Sequence, residues 1–393
     1  MNGELVALAE RLIAVPGYAE LPEKETKVAE RLYDELKAMG LPANLIDHEG
    51  RYNVSCEYSC GLPGSTIVLC THLDTVPPYG MKNPFKAEIR EGKLYGRGAV
   101  DVRGILAAMS MVMKRLIQER TKIYGKVRFL AVADEESGSF GMRQEGEAGY
   151  DADVTIVGEP TELSLGIAHK GVAWLQVEFS GKTAHGSVPD EGHNAVYDAG
   201  HFLEFLTNHV IPELKKNRTH PLLGAATINV GKIEGGTRPT IVPESCMVQI
   251  DRRLIPGEDA QAALNEIDDA LRKSDRTGIK FQSSVILGDA ANPFPPLDAS
   301  AWPEVISCLE DTVASVTGKR QGGIGLPFWT DAALAQYYTG KPAFVLGPGS
   351  IAQAHSNDEY VEIEQLERSV DIYYKMITAL SAMEERKQKY EAE

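Results

Sequence analysis

Apolar positions recur at helical spacing near the start of the chain. Leu5, Leu8, Leu12 and Ile13 line one face, and Val28, Leu32 and Leu36 stand four apart within Glu23–Met39. Both stretches predict amphipathic helices. The texture then changes to short, mainly apolar, strand-like runs at Thr66–Cys70, Val127–Ala133 and Asp153–Val157, each followed by a loop rich in glycine, proline or acid. Runs without a polar face predict strands buried on both sides. Between the first two lies Gly104–Gln118, apolar almost all round, which predicts a buried helix. Buried strands alternating with helices predict an α/β domain, a mixed sheet covered by helices on both faces.

From Gly171 the pattern is different. Val172–Phe179 alternates like a half-exposed strand, a helical stretch covers Asn194–His209, strands follow near Ala226–Ile233 and Cys246–Arg252, then a helix over Ala260–Arg272 and a strand over Lys280–Leu287. Strand–helix–strand–strand–helix–strand is the order of a ferredoxin-like α+β sandwich. The proline-rich stretch Asn292–Leu297 marks a crossing back, and Pro342–Gly347 reads as one more buried strand. The predicted division is 1–170 for the first part of the larger domain, 171–289 for an inserted domain and 290–393 for the second part. The polar tail Glu384–Glu393 is expected to fray.

Size agrees with two domains, since 393 residues exceed the usual single core. A net charge of −16 argues against nucleic acid or an anionic membrane as partner. No apolar stretch is long enough to span a membrane. The N-terminus carries acids inside its apolar run and no basic leader, so it reads as a helix rather than a signal peptide. Five cysteines, odd in number and without a CxxC pair, read as reduced packing residues of a cytoplasmic protein.

The chemistry gathers where apolar runs end. Ile67–Thr71 runs into His72, with Asp74 two positions on, and period-two geometry puts both on one face. Asp101 closes a Gly-Arg-Gly-Ala-Val-Asp loop just before the buried helix, without the third glycine that a dinucleotide loop needs. Asp134, Glu135 and Glu136 follow one buried strand, Glu159 follows another, and His355 lies beyond the strand ending near Leu346. Taken singly each has an ordinary reading: a satisfied histidine, a helix-capping aspartate, a solvated acidic loop. In α/β sheets, however, ligands collect at the carboxyl ends of strands, and five such ends delivering His, Asp or Glu point to a metal centre. Imidazoles and carboxylates without thiolates suit zinc, cobalt or manganese.

Five motifs carry a resemblance that covers nearly the whole chain: THLDTVP, GRGAVDVRG, DEESG, VGEPT and AHSNDE, in that order. In these the chain resembles the zinc metallopeptidases and deacylases that include acetylornithine deacetylase, succinyl-diaminopimelate desuccinylase, aminoacylases and glutamate carboxypeptidase. The resemblance implies a catalytic domain with an inserted dimerisation domain, and two Zn2+ per subunit with Co2+ or Mn2+ as substitutes. His72 and Glu159 would bind one metal, Glu136 and His355 the other, and Asp101 would bridge them. Asp74 would orient His72, and Glu135 would be the general base acting on a metal-bridging water. His185, in the GKTAHGSVP segment, would reach the active site of a partner in a homodimer and polarise the scissile carbonyl. Arg253, in DRRLIP, would clamp a substrate carboxylate. The segment GPGSIAQAHSNDE leans toward acetylornithine deacetylase-like members, which implies a small N-acyl amino acid as substrate. A dipeptidase or carboxypeptidase acting on a short peptide is the alternative. A non-catalytic metal-binding protein on the same fold is a remoter one, since Glu135 and every ligand position are present.

Overall fold

The computed structural model describes residues 2–274 and 278–391. The chain divides into two compact units, Met1–Ile167 with Ala299–Ile324 and Thr330–Glu393, and Ala168–Asp298 with Gly325–Trp329.

The first unit opens with α1 (Asn2–Ile13) and α2 (Thr26–Ala38), whose apolar stripes are buried. A hairpin of β1 (Ala43–His48) and β2 (Arg51–Tyr58) leads into β3 (Leu62–His72). Two short strands, β4 (Glu88–Arg90) and β5 (Lys93–Tyr95), precede α3 (Gly104–Gln118). Then come β6 (Tyr124–Val132), α4 (Phe140–Glu147), β7 (Val154–Val157) and β8 (Gly166–His169).

The second unit contains β9 (Gly171–Ser180), α5 (Ala195–Phe205), α6 (Ile211–Asn217), the short pair β10 (Thr219–His220) and β11 (Gly224–Ala225), β12 (Thr227–Gly235), β13 (Ser245–Leu254), α7 (Ala260–Ser274), β14 (Lys280–Leu287) and β15 (Leu297–Asp298). The chain continues through α8 (Pro303–Thr317), β16 (Ile324–Leu326), α9 (Ala332–Thr339), β17 (Ala343–Val345), β18 (Tyr360–Glu362) and α10 (Ile363–Glu391).

The main sheet of the first unit runs β1-β2-β6-β3-β7-β17, with the start of β8 beside β17 at Gly166. It is mixed: β1, β2 and β6 are antiparallel neighbours, whereas β6, β3, β7 and β17 run parallel. Every residue from Thr66 to His72 is buried, because alternate side chains enter different layers. Ile67 and Leu69 join the large core with α1, α2, α3 and α10. On the other face α4 and α9 pack against β2, β6, β7 and β17. A strand covered on both sides needs the continuous apolar run seen in its sequence.

The second unit is an antiparallel sheet of order β12-β13-β9-β14. Its core takes the inward residues Ala173, Leu175, Val177 and Phe179 of β9 with apolar residues of α5 and α7, while Trp174 and Glu178 are exposed. This is the ferredoxin-like α+β arrangement. The unit extends through the proline-rich stretch to Asp298, beyond the boundary that the sequence suggests at 289. The reason is local: Phe294 O accepts from Val172 N at 2.9 Å, and Pro295 O accepts from Trp329 Nε1 at 2.9 Å.

The tail expected to fray is helical as far as Glu391, where α10 ends, with Ala392 and Glu393 outside the described residues. Polar tail residues bond back to the unit: Ser65 Oγ donates to Glu384 at 2.9 Å, Tyr124 OH to Glu385 at 2.8 Å, and Gln388 Nε2 to Pro63 O at 3.0 Å.

Candidate metal centre

The parallel strands β3, β6, β7 and β17 end at the same edge of the sheet, and their register makes the ends level. His72 pairs with Val132, Cys70 with Val157, and Val345 with Val157. His72 is therefore the last residue of β3, Glu135 and Glu136 follow β6, Glu159 follows β7, and His355 lies in the loop after β17. Asp101 arrives from the irregular turn that precedes α3, where the Asp101–Val102 peptide is cis. Asp134, Ser139 and His355 have positive φ without being glycine, a local cost that surrounding contacts must hold in place.

The structure brings the predicted residues together. His72 Nε2 lies 3.1 Å from Asp101 Oδ1 and 3.5 Å from Glu159 Oε1. His355 Nε2 lies 3.1 Å from Glu136 Oε1 and 3.3 Å from Asp101 Oδ2. Asp101 thus turns one oxygen toward each histidine. Donor atoms of His72, Asp101 and Glu136 lie within 4.8 Å of one another, as do those of His72, Glu135 and Glu159. The other nitrogen of His72, Nδ1, faces Asp74, at 3.1 Å from its carbonyl and 3.3 Å from its carboxylate. A hydrogen bond there fixes the ring and leaves Nε2 facing the cluster, free to act as a ligand. Asp74 does a second job. Its two carboxylate oxygens accept the backbone N–H groups of Glu135 and Glu136, each at 3.1 Å.

Electrostatics test whether cations suit the cluster. Burial by itself works against a charged His72, but Glu159, Asp101 and Asp74 outweigh it and raise its pKa well above the ordinary range. Hydrogen bonds to Asp101 and Glu136 push His355 up to about 10. Burial raises Glu135, with the charge of Glu159 adding to it, and raises Glu136 and Glu159 too, where Asp101 adds. Asp101 is held low, its burial outweighed by bonds to His355 and His72, and Asp74 is lowered too, where His72 outweighs burial. Carboxylates crowded in this way call for positive charge. Divalent cations would supply it, on a donor set of imidazole nitrogen and carboxylate oxygen without thiolate. The residues fit zinc, cobalt or manganese.

Several supporting residues have no place in the sequence reading. Glu359, fully buried, accepts from Arg97 Nη1 at 2.6 Å and from the backbone N–H groups of Gly98, Val100 and Asp101 at 3.1, 3.0 and 3.2 Å. Burial pushes its carboxyl up to about 7. Arg103 is buried among Asp74, Glu25, Glu359 and Asp101, and burial pulls it down to about 10. Asp331, buried at the head of α9, is pushed up to about 7 by the same cause. Arg97, Arg103 and Glu359 lie inside the GRGAVDVRG and AHSNDE motifs, which was the available signal. Asp331 had none beyond the helix that it precedes.

His185 and Arg253 belong to the second unit. His185 is exposed, its Nδ1 2.7 Å from Ser187 Oγ. Arg253 lies on β13, partly exposed, and its Nε donates to Asp251 at 3.1 Å.

The description "Peptidase family M20/M25/M40" belongs to a family model that matches residues 68–379. An acetylornithine deacetylase of Myxococcus xanthus is 30% identical over 345 residues, 85% of this chain and 86% of that protein. One of Photorhabdus laumondii is 29% identical over 342 residues, 84% and 82%. Among solved structures, a tripeptidase from Staphylococcus aureus is 20% identical with a TM-score of 0.79, covering 97% of this chain and 99% of that one. A metallo-carboxypeptidase of the M20 family from Sulfolobus solfataricus is 20% identical with a TM-score of 0.75, covering 97% and 100%. At that identity the two structures bear on the fold.

Proposed function

The chain belongs to peptidase family M20/M25/M40, and we propose that it removes the acyl group from an N-acyl amino acid, in the manner of acetylornithine deacetylase. It is a metal-dependent hydrolase of amide bonds. The observation that carries the reading is the placement of Asp101, with one carboxylate oxygen toward each of two histidines and a glutamate beside each histidine.

On this reading His72 and Glu159 hold one divalent ion, His355 and Glu136 the other, and Asp101 lies between them. Two zinc ions, with cobalt or manganese as substitutes, supply a Lewis acid for the amide carbonyl and a lowered pKa for water. Glu135 takes the proton from the attacking water and returns it to the departing nitrogen. Its raised affinity for a proton suits that exchange. Asp74 fixes the geometry of both partners at once, holding the His72 ring and the backbone of Glu135 and Glu136. Arg253 is assigned to a carboxylate of the substrate, which a guanidinium fork can grip with two bonds. The second unit is assigned to homodimerisation, and His185 to the carbonyl oxygen bound by a neighbouring copy.

The acyl amino acid reading is supported by acetylornithine deacetylases that align over most of this chain and by the GPGSIAQAHSNDE segment. The peptidase reading is supported by the fold shared with a tripeptidase and a metallo-carboxypeptidase. No helix among the described residues is long and apolar enough to cross a membrane. A cytoplasmic location is proposed on the five free cysteines.

The test is a panel of N-acetyl, N-succinyl and N-formyl amino acids beside unblocked dipeptides, read by amine release with zinc or cobalt supplied. Release from acylated amino acids alone is the expected result. Turnover confined to the dipeptides would establish the peptidase reading instead.

A further inference from the structure

The acidic loop after β6 is held from an unexpected side. Because β2 runs antiparallel to β6, with Val54 opposite Ala131, the start of β2 lies beside the end of β6. Residues two apart on a strand share a face, so Arg51 and Asn53 look the same way. Both engage the loop. Arg51 binds Glu25 through two parallel bonds of 2.8 Å, and its Nη2 also lies 2.8 Å from Asp134 Oδ1. Phe140 lies beneath the guanidinium, its ring centre 5.4 Å away. Fully buried Asn53 accepts from Ala133 N at 3.0 Å and donates to Gly141 O and to Glu145, both at 3.1 Å. Asn53 thus ties the residue before the loop to the helix after it. The approach is close enough that a Cβ on Gly141 would sit 2.4 Å from both Ala133 N and Asn53 Oδ1.

We propose that Arg51 and Asn53 are positioning residues for Glu135, a clamp on β2 that sets the loop opposite the grip of Asp74. Of the three consecutive acids, Asp134 is then the one given over to structure. Its carboxylate is taken by Arg51, and its carbonyl accepts from Gly138 N at 3.0 Å and Ser139 N at 2.5 Å. With Asp74 holding the backbone N–H groups of Glu135 and Glu136, the first glutamate is fixed from both sides. Glu25, nearly fully buried, has Arg51 as its ion-pair partner among those described, with the charge of buried Arg103 also acting on it. It keeps the guanidinium from swinging away, since a two-bond pair is directional in a way that a lysine ammonium is not.

The inference rests on the reading of Glu135 as proton carrier, and the experiment separates the two. Arg51→Met should lower kcat by roughly ten- to a hundredfold, the cost of a misplacement of about 1 Å, with KM within about twofold and full metal content. Arg51→Lys should recover part of the loss. Arg51→Met leaves Glu25 buried without its two-bond partner, so Glu25→Gln/Arg51→Met guards against simple misfolding and should show the same fall in kcat. Asn53→Ala should behave alike. Full kcat in the folded, metal-loaded double variant overturns the proposal, as does a loss explained wholly by lost metal. Glu135→Gln is the separate control. Unchanged turnover there removes the proton role itself, whatever Arg51 does.

Discussion

Glu135 and Glu136 are neighbours with the same side chain and different surroundings. Both backbone N–H groups are held by Asp74, so the difference lies in where each carboxylate goes. Glu136 meets His355 at 3.1 Å, whereas donor atoms of Glu135 lie within 4.8 Å of those of His72 and Glu159. A group that carries protons must be free to gain and lose them, and a ligand must not. Glu135→Gln should therefore lower kcat by roughly a hundred- to ten-thousandfold, the usual reach of general acid–base catalysis, while the protein still binds two equivalents of metal. Glu136→Gln should lose metal, seen as a stoichiometry below two in elemental analysis. If the two variants lost metal equally, the division of labour between them would be wrong.

At the scale of elements, the edge of the sheet was readable because its strands announce themselves. A buried parallel strand needs a continuous apolar run, so a histidine or acid that breaks the run marks the strand end. Parallel neighbours bring those ends to one edge. His72, Glu136, Glu159 and His355 were legible for that reason, although their roles came from the motifs. Glu359 was not legible as a support. Its donors are Arg97, far away in sequence, and three backbone N–H groups, and a bond to backbone leaves no trace in side-chain pattern. The same holds for Asn53, which bonds Ala133 N and Gly141 O, whereas Arg51 and the tail glutamates pair with side chains far away in sequence, which spacing does not reveal. Glu359 in effect caps the turn that delivers Asp101. Replacing it with glutamine puts an NH2 group among N–H donors, where two of the four bonds must become clashes of donors, because each oxygen of the carboxylate accepts two. Glu359→Gln should weaken metal binding by about ten- to a hundredfold, as loss of a hydrogen bond that orients a ligand commonly does. Competition against a chelator of known affinity measures it, and unchanged affinity would leave Glu359 a stabilising residue only.

For the whole molecule, the two units have separate cores, one built on α1, α2, α3 and α10, the other on β9, β13, α5 and α7. All five proposed ligands lie in the first unit. Metal that binds only the folded first unit stabilises it by mass action. The gain is about 4 kcal/mol when free metal exceeds its dissociation constant a thousandfold. For a unit of this size, each kcal/mol moves the midpoint by about 2–4 °C, so chelation should lower the melting of the first unit by roughly 8–16 °C. The second unit holds none of those ligands and gains nothing directly. Calorimetry with and without chelator should accordingly show one transition that moves and one that stays. Restoring zinc or cobalt should return the first to its place together with the activity. A thermogram untouched by chelation, from protein shown to have lost its metal, would mean that these carboxylates and imidazoles are not bound by cations strongly enough to matter to the fold. The dinuclear reading would then have to be given up.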